Sequence, residues 1–237
     1  MSPTSNLFLS LGKEVEDEYG RRIGEVASFT VTPHGIIDSV YIKHNDGKIL
    51  KYPASAVKVE ESHVIFLSKT KIETAELCNQ IPLVWRKDQA LKELLEKKKI
   101  SPEVYEDLHN NFEGALNKLK TEAQTLMEKI DGEIERCSQE IKELNYALSY
   151  LEVEHEIGGI DEPSYQAALS AVQDSLKKVD MEKKDLESMK NKLSNILLGE
   201  TAQNFVEEPK VKASDSIPLS LPEPPVIVYV KETESQT

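Results

Sequence analysis

The fold is decided by residues 115–151, which read ALNKLKTEAQTLMEKIDGEIERCSQEIKELNYALSYL, together with the GGIDEP segment at 158–163. In the longer stretch, apolar residues recur at spacings of three and four, as they do along one face of a helix. They are Leu116, Leu119, Ala123, Leu126, Ile130, Ile134, Cys137, Ile141, Leu144, Leu148 and Leu151. A single helix cannot bury such a stripe, so the pattern predicts a long helix that packs against another helix.

A second stripe with a similar period follows the two glycines. It comprises Tyr165, Leu169, Val172, Leu176, Val179, Leu186, Leu193 and Leu197. The glycine pair permits a chain reversal, and the aspartate and proline of the GGIDEP segment are typical of a helix start. The sequence therefore predicts an antiparallel coiled-coil hairpin over residues 102–199, with helices at 102–157 and 162–198 and a turn near 158–161.

The two predicted helices are unequal, at about 84 Å and about 55 Å for the rise of an α-helix. The shorter helix cannot cover the start of the longer one, where Tyr105, Leu108 and Phe112 need another partner. That partner is either a second copy of the chain or residues 88–100, and self-association is the expectation for such a seam. The candidate self-assembly residues are Trp85, Tyr105, Phe112, Leu116, Leu144, Leu148, Leu176, Leu186 and Leu193.

The chain of 237 residues is long enough for one or two domains and carries a net charge of -13. Basic and acidic residues number 9 and 11 in 1–80, 17 and 24 in 86–199, and 3 and 7 in 200–237. Every segment is acidic, so the charge gives no dedicated polyanion-binding surface. Cys78 and Cys137 have no metal-ligating company, which predicts reduced core thiols in a cytosolic protein. Neither a signal peptide nor a membrane-spanning run is recognisable.

Residues 1–80 have a different pattern, in which short runs of β-forming residues alternate with glycine, proline and asparagine turn signals. The predicted strands are 7–10, 22–31, 36–44, 48–52, 57–59 and 64–67. So many short strands favour a small antiparallel β-barrel, since closure removes exposed sheet edges. Gly12, Gly20 and Gly24 are interpreted as turn glycines, because no helix follows them to form a phosphate-binding loop.

Residues 81–101 are predicted to form a connector with a short helix at 88–99. Trp85 is expected to plug the joint between the barrel and this helix, or else to anchor an intermolecular contact. The histidines of the barrel stand singly at or near turns and strand ends. The sequence offers no paired acid and base, nucleophile motif or metal cluster, so we expect neither an enzymatic activity nor a cofactor.

A weak internal repeat appears at an offset of 60 residues. The ISP segment at 100–102 corresponds to IDEP at 160–163, and Tyr105 corresponds to Tyr165. The similarity reflects either a repeat or the general likeness of two capped amphipathic helices. In both cases each segment predicts the start of a helix.

The helical pattern ends near residue 199, and residues 200–215 are polar and acidic, as in a disordered linker. Residues 216–237 join a proline-rich stretch to a run of β-forming residues that has no strand of its own to pair with. We expect a linear motif that adds a strand to the sheet edge of another protein, or else a segment that folds back onto its own barrel. The candidate partner-binding residues are Ile217, Pro218, Leu219, Leu221, Pro222, Pro224, Pro225, Val226, Ile227, Val228, Tyr229 and Val230.

The start of the β domain resembles the opening of a PRC-barrel. The resemblance is carried by Gly12, Lys13, Glu14, Val15, Asp17, Gly20, Ile23, Gly24 and Val26. PRC-barrels are scaffolds and adaptors in ribosome maturation, photosynthetic complexes and archaeal division proteins, so this resemblance gives the fold and not the function. The order of PRC-barrel, coiled-coil hairpin, acidic linker and proline-rich tail resembles the CdvA family of crenarchaeal cell-division proteins over essentially the whole chain.

The resemblance implies a non-enzymatic scaffold that forms filaments at mid-cell, on the cytoplasmic face of the membrane. It also implies that residues 216–237 recruit the ESCRT-III-like protein CdvB, whose winged-helix-like domain receives the motif. The family is associated with DNA as well, for which an acidic chain gives little physical reason. Membrane contact would be peripheral, because the chain has no basic amphipathic helix or lipidation signal. The alternative is a PRC-barrel adaptor in ribosome maturation or RNA binding.

Overall fold

The computed structural model describes residues 10–60 and 63–199, in which six strands precede three long helices. The strands are β1 Glu14–Asp17, β2 Arg22–Val31, β3 Ile37–His44, β4 Ile49–Pro53, β5 Val57–Val59 and β6 Val64–Phe66, with a 3-10 turn at Ala54–Ala56. The helices are α1 Lys69–Glu96, α2 Pro102–Glu156 and α3 Glu162–Leu197. The predicted fold class, a small N-terminal β domain followed by a long helical hairpin, is confirmed.

The six strands form one sheet in the order β4-β3-β2-β1-β6-β5. Neighbouring strands are antiparallel except β1 and β6, which pair in parallel with Val15 opposite Val64. The sheet is therefore mostly and not wholly antiparallel. The parallel pair joins the first and the last strand of the chain, β1 and β6, which no tight turn connects. The core of the sheet domain consists of Val15, Val26, Ile37, Val40, Ile42, Val57 and Val64.

The first strand of the sheet is β1, and the predicted strand at 7–10 lies outside the described residues except for Ser10, which is in a turn. β1 has the sequence EVED, and acidic residues are poor strand formers. It forms a strand nonetheless, because Val15 is fully buried in the core and because β2 and β6 supply hydrogen-bonding partners on both sides.

The prediction that Gly24 is a turn glycine is wrong, since this residue lies inside β2. A Cβ atom at this position would stand 2.0 Å from the carbonyl oxygen of Lys43 on β3. Only glycine lets the two backbones come so close. Gly20, in contrast, has a φ of +75° in the β1–β2 turn, as expected of a turn glycine.

Helix α1 is much longer than the predicted helix at 88–99, because it begins at Lys69. The predicted boundary between residues 80 and 81 therefore falls inside a helix. Proline lacks an N–H and crowds the preceding turn, so from the sequence Pro82 is expected to interrupt a helix. The helix continues through it because Ile81 is fully buried in the helical core and Pro82 is buried beside it, and this packing outweighs the local preference.

Helices α2 and α3 form the predicted hairpin. Asp161 caps α3 by accepting a hydrogen bond from the backbone N–H of Ser164, and Gly158 has a φ of +74° in the turn. With 55 and 36 residues, the two helices are about 82 Å and about 54 Å long. The core that they share with α1 consists of Leu77, Ile81, Ala123, Leu126, Ile130, Cys137, Val179, Leu186, Met189, Leu193 and Ile196.

Helix α1 runs antiparallel to the first part of α2. The His109 Nδ1 and Asp88 Oδ1 atoms lie 2.6 Å apart, and Leu91 is buried. Of the two partners considered for this part of α2, the structure thus supplies the chain's own residues 88–100. The cover is incomplete, since Leu108 remains 39 % exposed.

Candidate interaction surfaces

Polar contacts fasten the β1–β2 turn to the helices and so orient the sheet domain on them. Lys178 Nζ donates to the Gly20 carbonyl at 2.8 Å, and the Tyr19 hydroxyl donates to Asp185 at 3.2 Å. Lys71, in the first turn of α1, binds the same Asp185 carboxylate at 2.8 Å. A network that joins three elements fixes their mutual orientation better than any single contact.

Glu182 of α3 is at the centre of this junction. Its carboxylate accepts hydrogen bonds from Arg21 Nη1 at 2.5 Å and from Arg136 of α2, which also pairs with Glu140 at 3.2 Å. Only 12 % of the Glu182 side chain is exposed, so these charges interact more strongly than they would on an open surface. Arg21 Nη2 is buried and has no hydrogen-bond partner among the described residues. The ion pair at Nη1 therefore has to offset the cost of removing this charged group from water.

Burial also changes the acid–base properties of the junction. Dehydration raises the pKa of the Glu18 carboxyl, although the backbone N–H of Ser68 donates to it at 3.0 Å and Lys71 Nζ lies 3.9 Å away. The pKa of Tyr19 is raised by burial and by the nearby carboxylate of Asp185. Both shifts favour the neutral form of the side chain and result from the packing of the sheet domain on the helices.

A second apolar stripe lies at the C-terminal end of α2, next to the turn of the hairpin, which we call the tip. This tip stripe consists of Tyr146, Tyr150, Val153 and Ile157, of which Tyr150 and Ile157 are 70 % and 71 % exposed. The spacings of four, three and four place all four residues on one side of the helix, about 160° from the buried seam. The tip stripe is overlooked when only the seam is followed along the sequence, although the same spacing rule identifies both rows. Exposed apolar rows of this kind mark interaction sites.

The tip around this stripe is acidic. Residues 143–176 contain seven carboxylates and neither lysine nor arginine. The carboxylates belong to Glu143, Glu152, Glu154, Glu156, Asp161, Glu162 and Asp174. The tip therefore attracts a basic protein surface and repels an anionic membrane or a nucleic acid.

The turn between α1 and α2, residues 97–101, has the same backbone geometry as the turn at the tip. The N–H groups of Lys98 and Lys99 each donate at 2.9 Å to a carbonyl of the last turn of α1. Those of Gly158 and Gly159 donate at 2.9 and 2.8 Å to carbonyls of the last turn of α2. Lys98 has a φ of +54°, a left-handed conformation that glycine adopts more easily. The correspondence at an offset of 60 residues thus extends to turn geometry, with lysines where the tip has glycines.

A groove runs between α1 and α2 and contains a cavity of about 590 Å³. From α1 the cavity is lined by a row that includes Glu73, Glu76 and Gln80, which continues at the same spacing through Leu83, Lys87, Ala90 and Leu94. From α2 it is lined by a row that includes Glu122, Thr125 and Lys129, which extends back through Lys118, Ala115, Asn111, Leu108 and Val104. Residues in one such row lie on one side of a helix, so the two rows follow the cavity's side of α1 and α2 towards the 97–101 turn. Between the cavity and that turn, these rows expose the apolar side chains of Leu83, Leu94, Val104 and Leu108.

Most of the candidate self-assembly residues lie in or against the core formed by α1, α2 and α3. Leu186 and Leu193 are buried in the core of the three helices, and Trp85, Leu116 and Leu144 pack against it. The others are half-buried, namely Tyr105, Phe112, Leu148 and Leu176. Their contacts stabilise the helices of one chain, and a role in self-assembly stays a prediction.

Trp85 does not lie at the joint with the sheet domain. Because α1 begins at Lys69, the residue is well inside the helix, where Lys120 Nζ lies 5.9 Å from the centre of its ring. A Cβ atom added to Gly199 would stand 3.5 Å from the same ring. Trp85 therefore fills the space between α1, α2 and the end of α3.

The candidate partner-binding residues at 217–230 and the linker at 200–215 lie outside the described residues, so their roles stay predictions. Within the described part of the chain, no group of histidine, cysteine and acidic side chains has the geometry of a metal site. No helix in that part has both the length and the hydropathy that a membrane span needs. Cys78 and Cys137 form no disulfide, and burial raises the pKa of both thiols.

Two comparisons with known proteins bear on these surfaces. A family model described as a CdvA-like coiled-coil domain matches residues 70–215, which include all of α2 and α3 and nearly all of α1. Cell division protein A of Sulfolobus acidocaldarius is 22 % identical over 194 residues, which make up 82 % of this chain and 81 % of the relative.

Proposed function

Because the chain belongs to the CdvA-like coiled-coil family, we propose that it is a cell-division scaffold that self-assembles into filaments at the mid-cell membrane and recruits the ESCRT-III-like protein CdvB. The family and the relationship to a cell division protein support the role in division. Filament formation and recruitment are supported by the exposed surfaces of the helices and by the composition of the tail.

The filament part rests on one observation, the exposure of apolar side chains at both ends of the 55-residue helix α2. A contact between two different surfaces of one subunit propagates an open polymer, whereas a single two-fold contact closes at a dimer. The junction around Glu182 supports a regular polymer as well, because it would give the sheet domain the same orientation in every copy.

The recruitment part rests on the tail. Its prolines favour an extended backbone, and residues 226–230 are all strong β formers. A strand added to the edge of a partner's sheet gains affinity from backbone hydrogen bonds and specificity from alternate side chains. Because a polar linker at 200–215 separates this motif from the helices, a copy within a polymer could still bind CdvB.

Membrane attachment is proposed to be peripheral, with many weak contacts that act together in a polymer. Binding to DNA or RNA is less favoured, because each of the three segments of the chain has more acidic than basic residues. An adaptor in ribosome maturation would need a basic face to bind RNA, and the charges of these segments do not supply one.

Negative-stain electron microscopy of the purified full chain, with and without vesicles of archaeal-type anionic lipid, tests the proposal. We expect filaments in both samples and filaments on the vesicle surface in the second. Sedimentation of the same samples measures how much protein is in polymer. A chain that remains monomeric at every concentration and with every vesicle contradicts the proposed function.

A further inference from the structure

The tip of the hairpin carries negative charge that the protein itself does not neutralise. Residues 143–176 contain seven carboxylates and no lysine or arginine. Within the described part of the chain, none of the seven forms an ion pair with a lysine or an arginine, and Glu162 pairs with His155 at 2.9 Å. Further back along the hairpin, in contrast, Asp131 of α2 pairs with Lys190 of α3 at 2.5 Å. The negative charge of the tip is therefore left to solvent or to a partner.

We propose that the tip stripe, which consists of Tyr146, Tyr150, Val153 and Ile157, binds an amphipathic helix of another protein, whose apolar face is bordered by lysine or arginine side chains. The inference goes beyond the proposed function, because it gives the helices a docking surface in addition to the recruiting tail. Apolar contact holds the partner helix in place, and opposite charge selects it.

The shape of the tip stripe suits a helix. Its four side chains span about 17 Å along α2 and lie about 160° from the seam, so α3 does not cover them. A helix laid along this side of α2 places its own side chains, spaced by three and four, between those of the stripe. Tyr146 and Tyr150 offer large rings with a polar end, a combination that favours tyrosine at protein interfaces. The tip would then contain three helices, with α2 between α3 and the partner helix.

Carboxylates border the tip stripe on both sides. Glu154 follows Tyr150 by four positions on one margin, and Glu156 follows Val153 by three on the other. Both glutamates are exposed, and neither makes an ion pair within the described residues. A lysine or arginine of the partner can lie over the tyrosine ring and contact the neighbouring carboxylate, which combines a cation–π interaction with a charged hydrogen bond. The charge therefore acts at the border of the apolar contact, where it raises the association rate and excludes anionic partners.

The same charge disfavours other occupants of the tip stripe. Anionic lipids and nucleic acids are repelled by an acidic surface. A second copy of the chain is acidic in each of its three segments, and residues 93–107, around the turn between α1 and α2, carry five carboxylates against three lysines. A second copy that meets the tip in a filament does so against this repulsion, whereas a cationic helix meets none. The partner helix and a second copy therefore compete for the tip, and charge favours the partner helix.

Fluorescence anisotropy with a labelled model peptide tests the proposal on the full-length chain. The peptide is a helix of about fourteen residues with leucine on one side and lysine on the other, and the control peptide has the same composition in an order that forms no apolar face. We expect the amphipathic peptide to bind at least about tenfold more tightly than the control peptide. Equal affinities would show that charge alone attracts the peptide and would overturn the inference.

Paired variants of the full chain locate the site. The tip variant, Tyr150→Gln with Val153→Gln, removes apolar surface and is expected to weaken peptide binding about tenfold or more. Val104→Gln with Met181→Gln changes two exposed positions away from the tip, and this matched control should bind as the wild type does. Circular dichroism should show the same helical content in all three proteins, since the changed side chains are exposed. Equal losses of affinity in the two variants would place the contact elsewhere.

A second pair of variants tests the role of charge. Glu154→Gln with Glu156→Gln removes two carboxylates from the tip, and Glu103→Gln with Glu106→Gln removes two exposed carboxylates from the other end of α2. At low salt we expect the first pair to weaken peptide binding several-fold and the second to leave it within about twofold of the wild type. The same loss in both would mean that net charge, and not the tip, attracts the peptide.

Two further outcomes would overturn the inference by identifying another occupant. If the tip variant sediments less with itself than the wild type does, while its affinity for the peptide is unchanged, the stripe belongs to a second copy. If anionic vesicles bind the wild type and not the tip variant, the stripe belongs to a membrane. A wild type that forms no filament contradicts the proposed function alone, since peptide binding needs only one copy of the chain.

Discussion

Arg21 of the β1–β2 turn and Glu182 of α3 form an ion pair of 2.5 Å between residues 161 positions apart in the chain. The same carboxylate binds Arg136 of α2, so one acidic side chain connects the sheet domain to both arms of the hairpin. This shared carboxylate acts together with the contacts of Asp185 and Lys178 to hold the sheet domain on the helices.

Replacement of Glu182 by alanine is expected to loosen the sheet domain. Two arginines lose a common partner whose side chain is only 12 % exposed, so unfolding should become easier by about 2 kcal/mol. Urea denaturation followed by circular dichroism measures the change. Glu187→Ala, an exposed site on the same helix, is the control and should stay within about 0.5 kcal/mol of the wild type. Equal effects of the two changes would show that the junction does not hold the domain.

The helical core makes a stability prediction with a matched control. Leu193 is fully buried between the three helices, whereas Leu198 is 71 % exposed at the end of α3. Leu193→Ala is expected to lower the free energy of unfolding by about 2–5 kcal/mol, because it removes apolar contact and leaves a cavity. Leu198→Ala should change it by less than about 0.5 kcal/mol. Calorimetry of both variants checks the difference, and comparable melting temperatures would mean that the seam has been assigned wrongly.

The contact between α1 and α2 should depend on pH. The hydrogen bond to Asp88 raises the pKa of His109 above its ordinary value of 6.5. Because the folded pKa is raised, the stabilisation is fully present below pH 6.5 and is lost as the pH rises through the folded pKa. An NMR titration should give a higher His109 pKa in the wild type than in Asp88→Asn. Glu96→Gln, a change at the exposed end of α1, is the control and should leave the pKa of His109 as high as in the wild type. Identical titrations of His109 in the wild type and in Asp88→Asn would contradict the contact.

The tail makes a prediction about recruitment. If residues 226–230 add a strand to the sheet of CdvB, Val228→Asp places a charge in a buried strand pair and should weaken binding by about 2 kcal/mol or more, roughly thirtyfold. Ser235→Asp adds the same charge beyond the candidate partner-binding residues 217–230 and should bind nearly as tightly as the wild type. Isothermal titration calorimetry measures both affinities. Similar losses in both variants would point to a general effect of charge and not to a strand.

The helical half of the molecule could be predicted closely from the sequence, because its rules are local. Spacing located the seam, the glycine pair located the reversal, and Asp161 located the start of α3. The same rules failed at Pro82, where burial of the neighbouring Ile81 keeps α1 helical through a residue that usually ends a helix. They also left the tip stripe unnoticed, since a second row on the same helix is easily hidden behind the first.

The sheet domain and the junction were less predictable, because their partners are distant in sequence. Acidic residues conceal β1, which is a strand because Val15 is buried and because β2 and the distant β6 pair with it on both sides. No local pattern shows that Arg21 and Arg136 meet at Glu182, since the pairing depends on how the folded domain sits on the helices. Contacts between residues that are distant in the chain therefore could not be predicted from the sequence.

The central claim is that one chain combines a polymer-forming helical unit with a separate tail that recruits CdvB, and a co-pelleting measurement tests it most directly. Full-length protein and a chain that ends at residue 215 are sedimented separately with purified CdvB, and the pellets are compared. The account predicts that both chains pellet equally and that only the full-length chain carries CdvB with it. Loss of pelleting in the shortened chain, or equal recovery of CdvB with both, would contradict it.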